Sequence, residues 1–332
     1  MISPMPNEDR NCGVRFVDRL RPLGPILDFS REGWTVWDCA PILHEGRVHV
    51  FFTRWRTPEE GSSPDAQWYL GSEIVHAVSD DVLGPYEIRQ VVLRKEGGDG
   101  SWDDSAVINP KIYRIGERFA LCYTGCRARR HDTQAIGLLV ADSLDGPWTN
   151  LSADAPIIAP GEKPEAFDGY LCNNPAMLVH PSGEIWIYYK GRPRLPGAGA
   201  GPMRIGLATA KTLEGLYVKY SENPVLDLAP LSFEDPFVWR EDDAYCMLAS
   251  ELDNPICILE QNGGLLFRSK DGLAWGPPEP GYPSPRKLFG TAQRMEEPNI
   301  LFDGDRPSHL FATLGGGAGA GFHGFVFEVA EG

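Results

Sequence analysis

The chain has 332 residues, room for two average domains or one large all-β unit. Its 46 acidic residues against 31 basic ones leave a formal charge of −15, which repels nucleic-acid phosphates and anionic membranes, so neither is an expected partner. The opening MISPMPNEDRNCGVRF has no basic segment followed by an apolar run, and no stretch reaches the roughly 18 apolar residues of a spanning helix. The chain therefore reads as soluble and cytoplasmic. Cys12, Cys39, Cys122, Cys126, Cys172, Cys246 and Cys257 form an odd, scattered set without a CxxC pair, which excludes a disulfide framework and a zinc knuckle and leaves reduced core thiols.

After an N-terminal extension over residues 1–25, short runs rich in β-branched and aromatic residues recur: GRVHVFFTRW (46–55), ERFALCYTG (117–125), GEIWIYYKG (183–191), DAYCMLASE (243–251) and RPSHLFATLG (306–315). Their starts are 71, 66, 60 and 63 residues apart, and each reads as a strand. A second strand with a polar turn follows the first four, in SEIVHAVSDDVLGPYEI, AIGLLVADSLDGPWTNL, RIGLATAKTLEGLYVKY and GGLLFRSKDGLAWGPP; the fifth copy supplies GFHGFVFEVA and the chain ends. Five such units without an interleaved helical pattern predict a single all-β domain over 1–332, a five-bladed β-propeller of four-stranded antiparallel blades.

A proline precedes each run, at Pro41, Pro110, Pro175, Pro236 and Pro298. The residue before it is polar in four units, Asn109, Asn174, Asp235 and Glu297, while in the first Ala40 holds that place and Asp38 lies two residues earlier. The innermost strand of each blade lines a propeller's channel, so the repeat predicts one ring of Asp38, Asn109, Asn174, Asp235 and Glu297 at one axial mouth. Asx before Pro is also an ordinary turn starter. Glu234, one residue off the ring, is expected to face a blade interface or solvent by strand parity.

Clustered carboxylates suit metal binding or acid and base work on a sugar. The seven histidines show no metal-ligand spacing, so neither a metal site nor a cofactor is expected, and a channel ion has no ligand motif behind it. Glycoside hydrolysis needs one carboxyl protonated, one ionised, and an aromatic platform. Trp34, Trp37, Trp55, Trp68 and Trp102 offer one, with Trp37 and Trp55 the expected platform residues. Asp103 and Asp104 either reach the pocket or sit in a solvated loop; Lys190, Arg192 and Glu251 either bind sugar hydroxyls or make rim salt bridges. GGGAGAGFHG (315–324) lacks the Lys-Ser/Thr of a phosphate loop, and His323 within it is a further pocket candidate.

The ordered set WDCAPI, FFTRW, SEIVHAVSDDVLGPY, WDDSAVINPKIY, NNPAMLV, IGLATA, FEDPFVW, SKDGLAW and RMEEPNILFD resembles the five-bladed propeller glycoside hydrolases of families 43, 62, 32, 68, 117 and 130, most of all the family 117-like branch, over nearly the whole chain from about residue 25. The resemblance implies Asp38 as base or nucleophile, Asp235 as the acid that tunes pKa and orients the sugar, and Glu297 as proton donor. Two positions depart from it: Glu296 stands where family 117 enzymes have a His proton donor, and Ile108 stands where relatives read His-Asn-Pro.

The expected function is an exo-acting, inverting glycosidase on a small oligosaccharide, with Glu297 or Glu296 as acid. A phosphorylase, with phosphate held by Arg54, Lys190 and Arg294, and a noncatalytic sugar-binding propeller are the alternatives. Specificity is expected in the rim loops 56–67 and 192–202.

Overall fold

The computed structural model describes residues 14–57, 68–197, 199–229, 231–252, 263–290, 293–315 and 321–331. Cys12, Cys257, most of the 56–67 loop and the glycines of 316–320 lie outside them. The described residues form five antiparallel sheets, each joined to the next by hydrophobic packing. Blade one runs outward as Trp34–His44, Arg47–Arg56, Ser72–Ser79 and Glu87–Lys95; blade two as Ala106–Ile115, Arg118–Cys126, Ala135–Ala141 and Thr149–Asn150. Blade three is Leu171–Val179, Ile185–Arg192, Arg204–Ala210 and Val218–Lys219, with Leu226–Asp227 as a further short partner of its third strand. Blade four is Phe233–Glu241, Ala244–Glu251, Gly264–Ser269 and Glu279–Tyr282; blade five is Arg294–Asp303, Arg306–Gly315 and His323–Val329.

The missing outer strand of blade five comes from the other end of the chain: Leu20–Ile26 pairs with it from Leu20↔Val329 to Ile26↔Gly324. Residues 20–25, read from sequence as an extension, are thus the outer strand that closes the ring and covers the edge of His323–Val329. Gly324 is needed at that closure. A Cβ there would lie 2.7 Å from Ile26 Cγ1 and 2.8 Å from Cys39 Sγ, closer than packed carbon atoms tolerate.

Five core clusters lie between neighbouring blades and include the pair of blades five and one, where Ile26, Cys39, Phe52, Phe311 and Val326 pack together. Cys39, Cys122, Cys126, Cys172 and Cys246 are free and buried, as expected of core thiols. The repeated runs seen in the sequence are the second strands of the blades. The inner strands are the proline-containing segments before them, which tolerate proline because an innermost strand is an edge strand, paired on one side only.

Replacing Gly324 by Val is expected to destabilise the protein by about 1–3 kcal/mol through overpacking of the closure. An unchanged denaturant midpoint would contradict the closure as described.

Candidate active site

Each inner strand is interrupted at the same place. Trp37 pairs with Thr53 and Ala40 with Phe51, so two residues, Asp38 and Cys39, stand opposite one, Phe52. The same two-against-one count recurs at Asn109-Pro110, Asn174-Pro175, Asp235-Pro236 and Glu297-Pro298. These are β-bulges, in which the unpaired residue does not need its ladder hydrogen bond, and proline therefore costs nothing at the second position. The first residue of every bulge has a left-handed backbone: φ is 56° at Asp38, 55° at Asn109, 50° at Asn174, 59° at Asp235 and 57° at Glu297. Asp and Asn take this conformation more readily than other side chains do, whereas Glu297 adopts it against its preference.

Three of the bulge N–H groups find a hydroxyl on the second strand of the preceding blade. Asp38 N donates to Thr313 Oγ1 at 2.9 Å, Asn174 N to Thr124 Oγ1 at 3.1 Å and Glu297 N to Ser250 Oγ at 3.2 Å. Thr53, Thr124, Ser250 and Thr313 pair with the residue just before the bulge in their own blades; Lys190 holds the same register position in blade three.

The bulge turns two consecutive residues of each strand toward the axis, creating two rings. Trp37, Ile108, Asn173, Glu234 and Glu296 line the wall of a pocket of about 220 Å³, and Asn109, Asn174, Asp235 and Glu297 are among the residues of its floor. Asp38 completes the lower ring but is fully buried beneath the pocket. Glu234 accordingly lines the pocket, contrary to the parity expectation, because the bulge breaks the alternation on which parity rests.

The floor is one hydrogen-bonded network. Asn109 Nδ2 donates to Asp38 Oδ1 at 3.1 Å and to Glu297 Oε1, while Asn109 N donates to Asp38 Oδ2 at 2.8 Å. Asn174 Nδ2 donates to Glu297 Oε1 at 2.9 Å and to Asp235 Oδ1. Ser250 Oγ donates to Asp235 Oδ2 at 2.7 Å and receives a hydrogen bond from Tyr282 OH at 3.0 Å. Lys111, two residues beyond Asn109 and fully buried, places its ammonium 3.1 Å from Glu297 Oε2.

Three buried carboxyls thus face one buried ammonium, and charge balance favours keeping two of them protonated. Burial raises Asp38 to about 7, against the pull of its hydrogen bond to Glu297 and of Lys111. Burial and the neighbouring Asp38 raise Glu297 to about 8. Burial and Glu297 push Asp235 well above the ordinary carboxyl range. Asn109 bridges Asp38 to Glu297, and Asn174 bridges Glu297 to Asp235.

The wall carries two ion pairs. Lys190 Nζ meets Glu234, and Arg294 grips Glu296 with Nε and Nη2, each at 2.6 Å. Burial pushes Glu234 upward, but Lys190 outweighs it and holds the group below its usual value; burial still lifts Glu296 to about 7 despite Arg294. One oxygen each of Glu234, Asp235 and Glu296 lie within 4.8 Å of one another, a set that suits a hard cation in spacing but is already neutralised in part by Lys190 and Arg294.

Other candidates fall differently. Trp37 and Trp55 line the pocket yet are 9% and 2% exposed, packed with Ile108 and Phe322, so they form its wall rather than an open platform. Trp68 is the half-exposed indole of the pocket, with its ring 5.4 Å from that of His131. Asp103 lies away from the pocket, buried where Tyr123 OH at 2.9 Å and Lys95 Nζ at 2.9 Å hold it. Glu251 and His323 do not line the pocket either, although Glu251 is fully buried. Sequence reasoning missed Lys111, Asn173, His131 and Gln134; the Asn173-Asn174 doublet before Pro175 repeats the Glu234-Asp235 and Glu296-Glu297 doublets and was the available signal.

In Lys111→Met the loss should depend on pH. The unfolded carboxyls ionise near 4 and the folded ones near 7–8, so the folded state holds extra protons between these values and stability falls as pH rises through them. At pH 5 the floor acids are protonated and the substitution should be neutral or stabilising. Above pH 8 it should cost on the order of 3–5 kcal/mol by leaving buried carboxylates uncompensated. Denaturation midpoints that respond equally at both pH values would contradict the charge balance.

No family model matches the sequence, and no curated protein matches it. Among solved structures, the chain superposes on Zg3597, a family 117 glycoside hydrolase produced by the marine bacterium Zobellia galactanivorans, with a TM-score of 0.69 and 20% identity over 93% of this chain and 89% of that one. A thermostable family-43 glycoside hydrolase gives a TM-score of 0.61 at 15% identity over 89% and 88%. The endo-arabinase of Bacteroides thetaiotaomicron VPI-5482 gives 0.59 at 14% over 94% and 98%. The fold is therefore that of the five-bladed propeller glycoside hydrolases, family 117 and family 43 among them.

Proposed function

We propose that the chain is a glycoside hydrolase that removes the terminal sugar of a small oligosaccharide. The observation that carries this reading is the stack of acids at the bottom of one pocket: Glu234 and Glu296 in the wall, Asp235 and Glu297 in the floor and Asp38 beneath. At about 220 Å³ the pocket is smaller than sites for drug-sized ligands, which suits one sugar ring and hence exo action. The likeness to solved glycoside hydrolases supports the same chemistry.

Asp38 and Glu297 accept from one Asn109 nitrogen, which keeps their nearest oxygens within two hydrogen-bond lengths, about 6 Å. That spacing argues against these two as the separate acid and base of an inverting enzyme, which stand roughly 6.5–9.5 Å apart. They fit a dyad that shares one proton and acts as the base, with Glu297 facing the pocket and Asp38 below it. The acid is then Glu296, one ring higher and raised to about 7. As the glycosidic C–O bond breaks, Glu296 gives its proton to the leaving oxygen and becomes an anion held by Arg294. Water attacks the anomeric carbon from the floor side and its proton passes to the dyad. Asp235 keeps the dyad's proton affinity high. The product is the inverted sugar and a free alcohol.

Lys190, Arg294 and Arg54 are engaged by Glu234, Glu296 and Glu73, which favours water over phosphate as the acceptor. Free, buried cysteines fit a cytoplasmic location. Among the described residues no helix is long and apolar enough to cross a membrane.

With both limbs near pH 7, kcat/KM should follow a narrow bell around neutrality, the acid limb from Asp38 and the alkaline limb from Glu296. Glu296→Gln should lose roughly 10²–10⁴ on natural glycosides, keep most activity on aryl glycosides with acidic leaving groups, and lack the alkaline limb. Asp38→Asn should fail on both substrates. Equal losses for Glu296→Gln on both leaving groups, or release of the retained anomer seen by proton NMR, would contradict these roles. A wild type that binds sugars without turnover would favour the noncatalytic reading.

A further inference from the structure

Arg54 and Arg56 stand two residues apart at the end of the strand Arg47–Arg56, so their side chains leave on one side, about 6.6 Å apart along the strand, while Trp55 leaves on the other. The Trp34 indole occupies the space between them, with guanidinium carbons 4.2 and 3.9 Å from its ring centroid. Arg54 and Arg94 converge on Glu73, whose side chain is 4% exposed, at 2.6 and 2.5 Å. These residues line a groove of about 480 Å³ that shares Trp55 with the pocket of the acids. Three guanidiniums thus line one groove, and two of them share its one buried carboxylate. Glu96 lies 3.8 Å from Arg94 but is 73% exposed and screened by water. Lys95 is committed to Asp99 and Asp103 at 3.0 and 2.9 Å. Arg56 donates to the Glu32 carbonyl at 3.3 Å and has no carboxylate partner among the described residues.

In a chain of formal charge −15, three guanidiniums kept together beside the pocket make this groove a local surface suited to an anion. The pocket itself is walled and floored by acids and disfavours a charged terminal sugar. We propose that the groove is the leaving-group subsite, and that it recognises an anionic group, a carboxylate or a sulfate ester, on the sugar next to the scissile bond. This rests on the glycosidase reading and adds the substrate class: a neutral terminal sugar linked to an acidic neighbour. The planar fork of Arg56, braced by Trp34, suits either group through paired N–H donors.

The test is binding, so that it does not depend on turnover. Calorimetry with wild type, Arg56→Gln and Arg56→Lys would use three disaccharides as probes, neutral galactobiose, galactosyl-galacturonate and galactobiose sulfated on its reducing-end ring, with inorganic sulfate alone as a control. Wild type should bind at least one anionic disaccharide about tenfold tighter than the neutral one, and the preferred probe identifies the group as uronate or sulfate. Arg56→Gln should erase the preference while leaving neutral-sugar affinity and thermal midpoint unchanged, and Arg56→Lys should restore it in part. Equal binding of neutral and anionic disaccharides, a preference that survives Arg56→Gln, or inorganic sulfate binding as tightly as the anionic sugars would overturn the proposal. If the anionic preference follows Arg56 but no glycoside is cleaved, the subsite stands and the hydrolase reading fails.

Discussion

Everything at the candidate site depends on one backbone device used five times, a bulge in the inner strand of each blade. A regular strand would send successive side chains to opposite faces and bring one residue per blade to the axis. The bulge brings two, and the left-handed residue at its start aims the lower one at the centre. Ten positions then converge on one end of the channel, and the chemistry follows from which of them are acids. The backbone strain is greatest at Glu297, the one member of the lower ring that is neither Asp nor Asn, and it is the residue that links Asp38 to Asp235. Strain retained at a site of this kind is consistent with a functional role.

The convergence has an electrostatic cost that the network answers in three ways. Two asparagine amides donate to carboxyls on either side of them, so like-charged groups are separated by donors. One ammonium, Lys111, lies among them, away from solvent. Burial first, and repulsion among the carboxyls after it, shift Asp38, Asp235 and Glu297 upward so that protonation relieves both, while Lys190 holds Glu234 below its usual value. A site built this way holds protons at neutral pH without a histidine. Its stability and its chemistry are therefore tied to the same groups, and a change that stabilises the folded state by removing an acid is expected to remove function with it.

Much of this was legible in the sequence because the repeat is strict. Prolines spaced 69, 65, 61 and 62 residues apart, each near a β-rich run, fix the blade count, and the polar residue at the bulge identifies the lower ring. In the sequence the prolines stand only as landmarks before the runs, and the bulge that admits proline to an inner strand is invisible without the register. Glu234 was misplaced for the same reason: parity fails across a bulge. Lys111 looked like any lysine in a strand, since its partner Glu297 is 186 residues away. Trp55 looked like a platform because no local signal separates a wall indole from an open one, whereas its packing against Trp37 and Ile108 is a tertiary fact. Asp103 was drawn to the pocket by its neighbours in sequence and is held elsewhere by Tyr123 and Lys95.

The central claim is that the buried acids hold protons at neutral pH and that Glu296 is the one placed to give one up. Carbon-13 NMR titration of the carboxyl carbons of Asp and Glu, assigned through Asp38→Asn, Glu296→Gln and Glu297→Gln, reads this directly. The account predicts that Asp38 and Glu296 ionise at about 7 and Glu297 at about 8. Ionisation of all three near 4, with the unperturbed carboxyls of the surface, would contradict it.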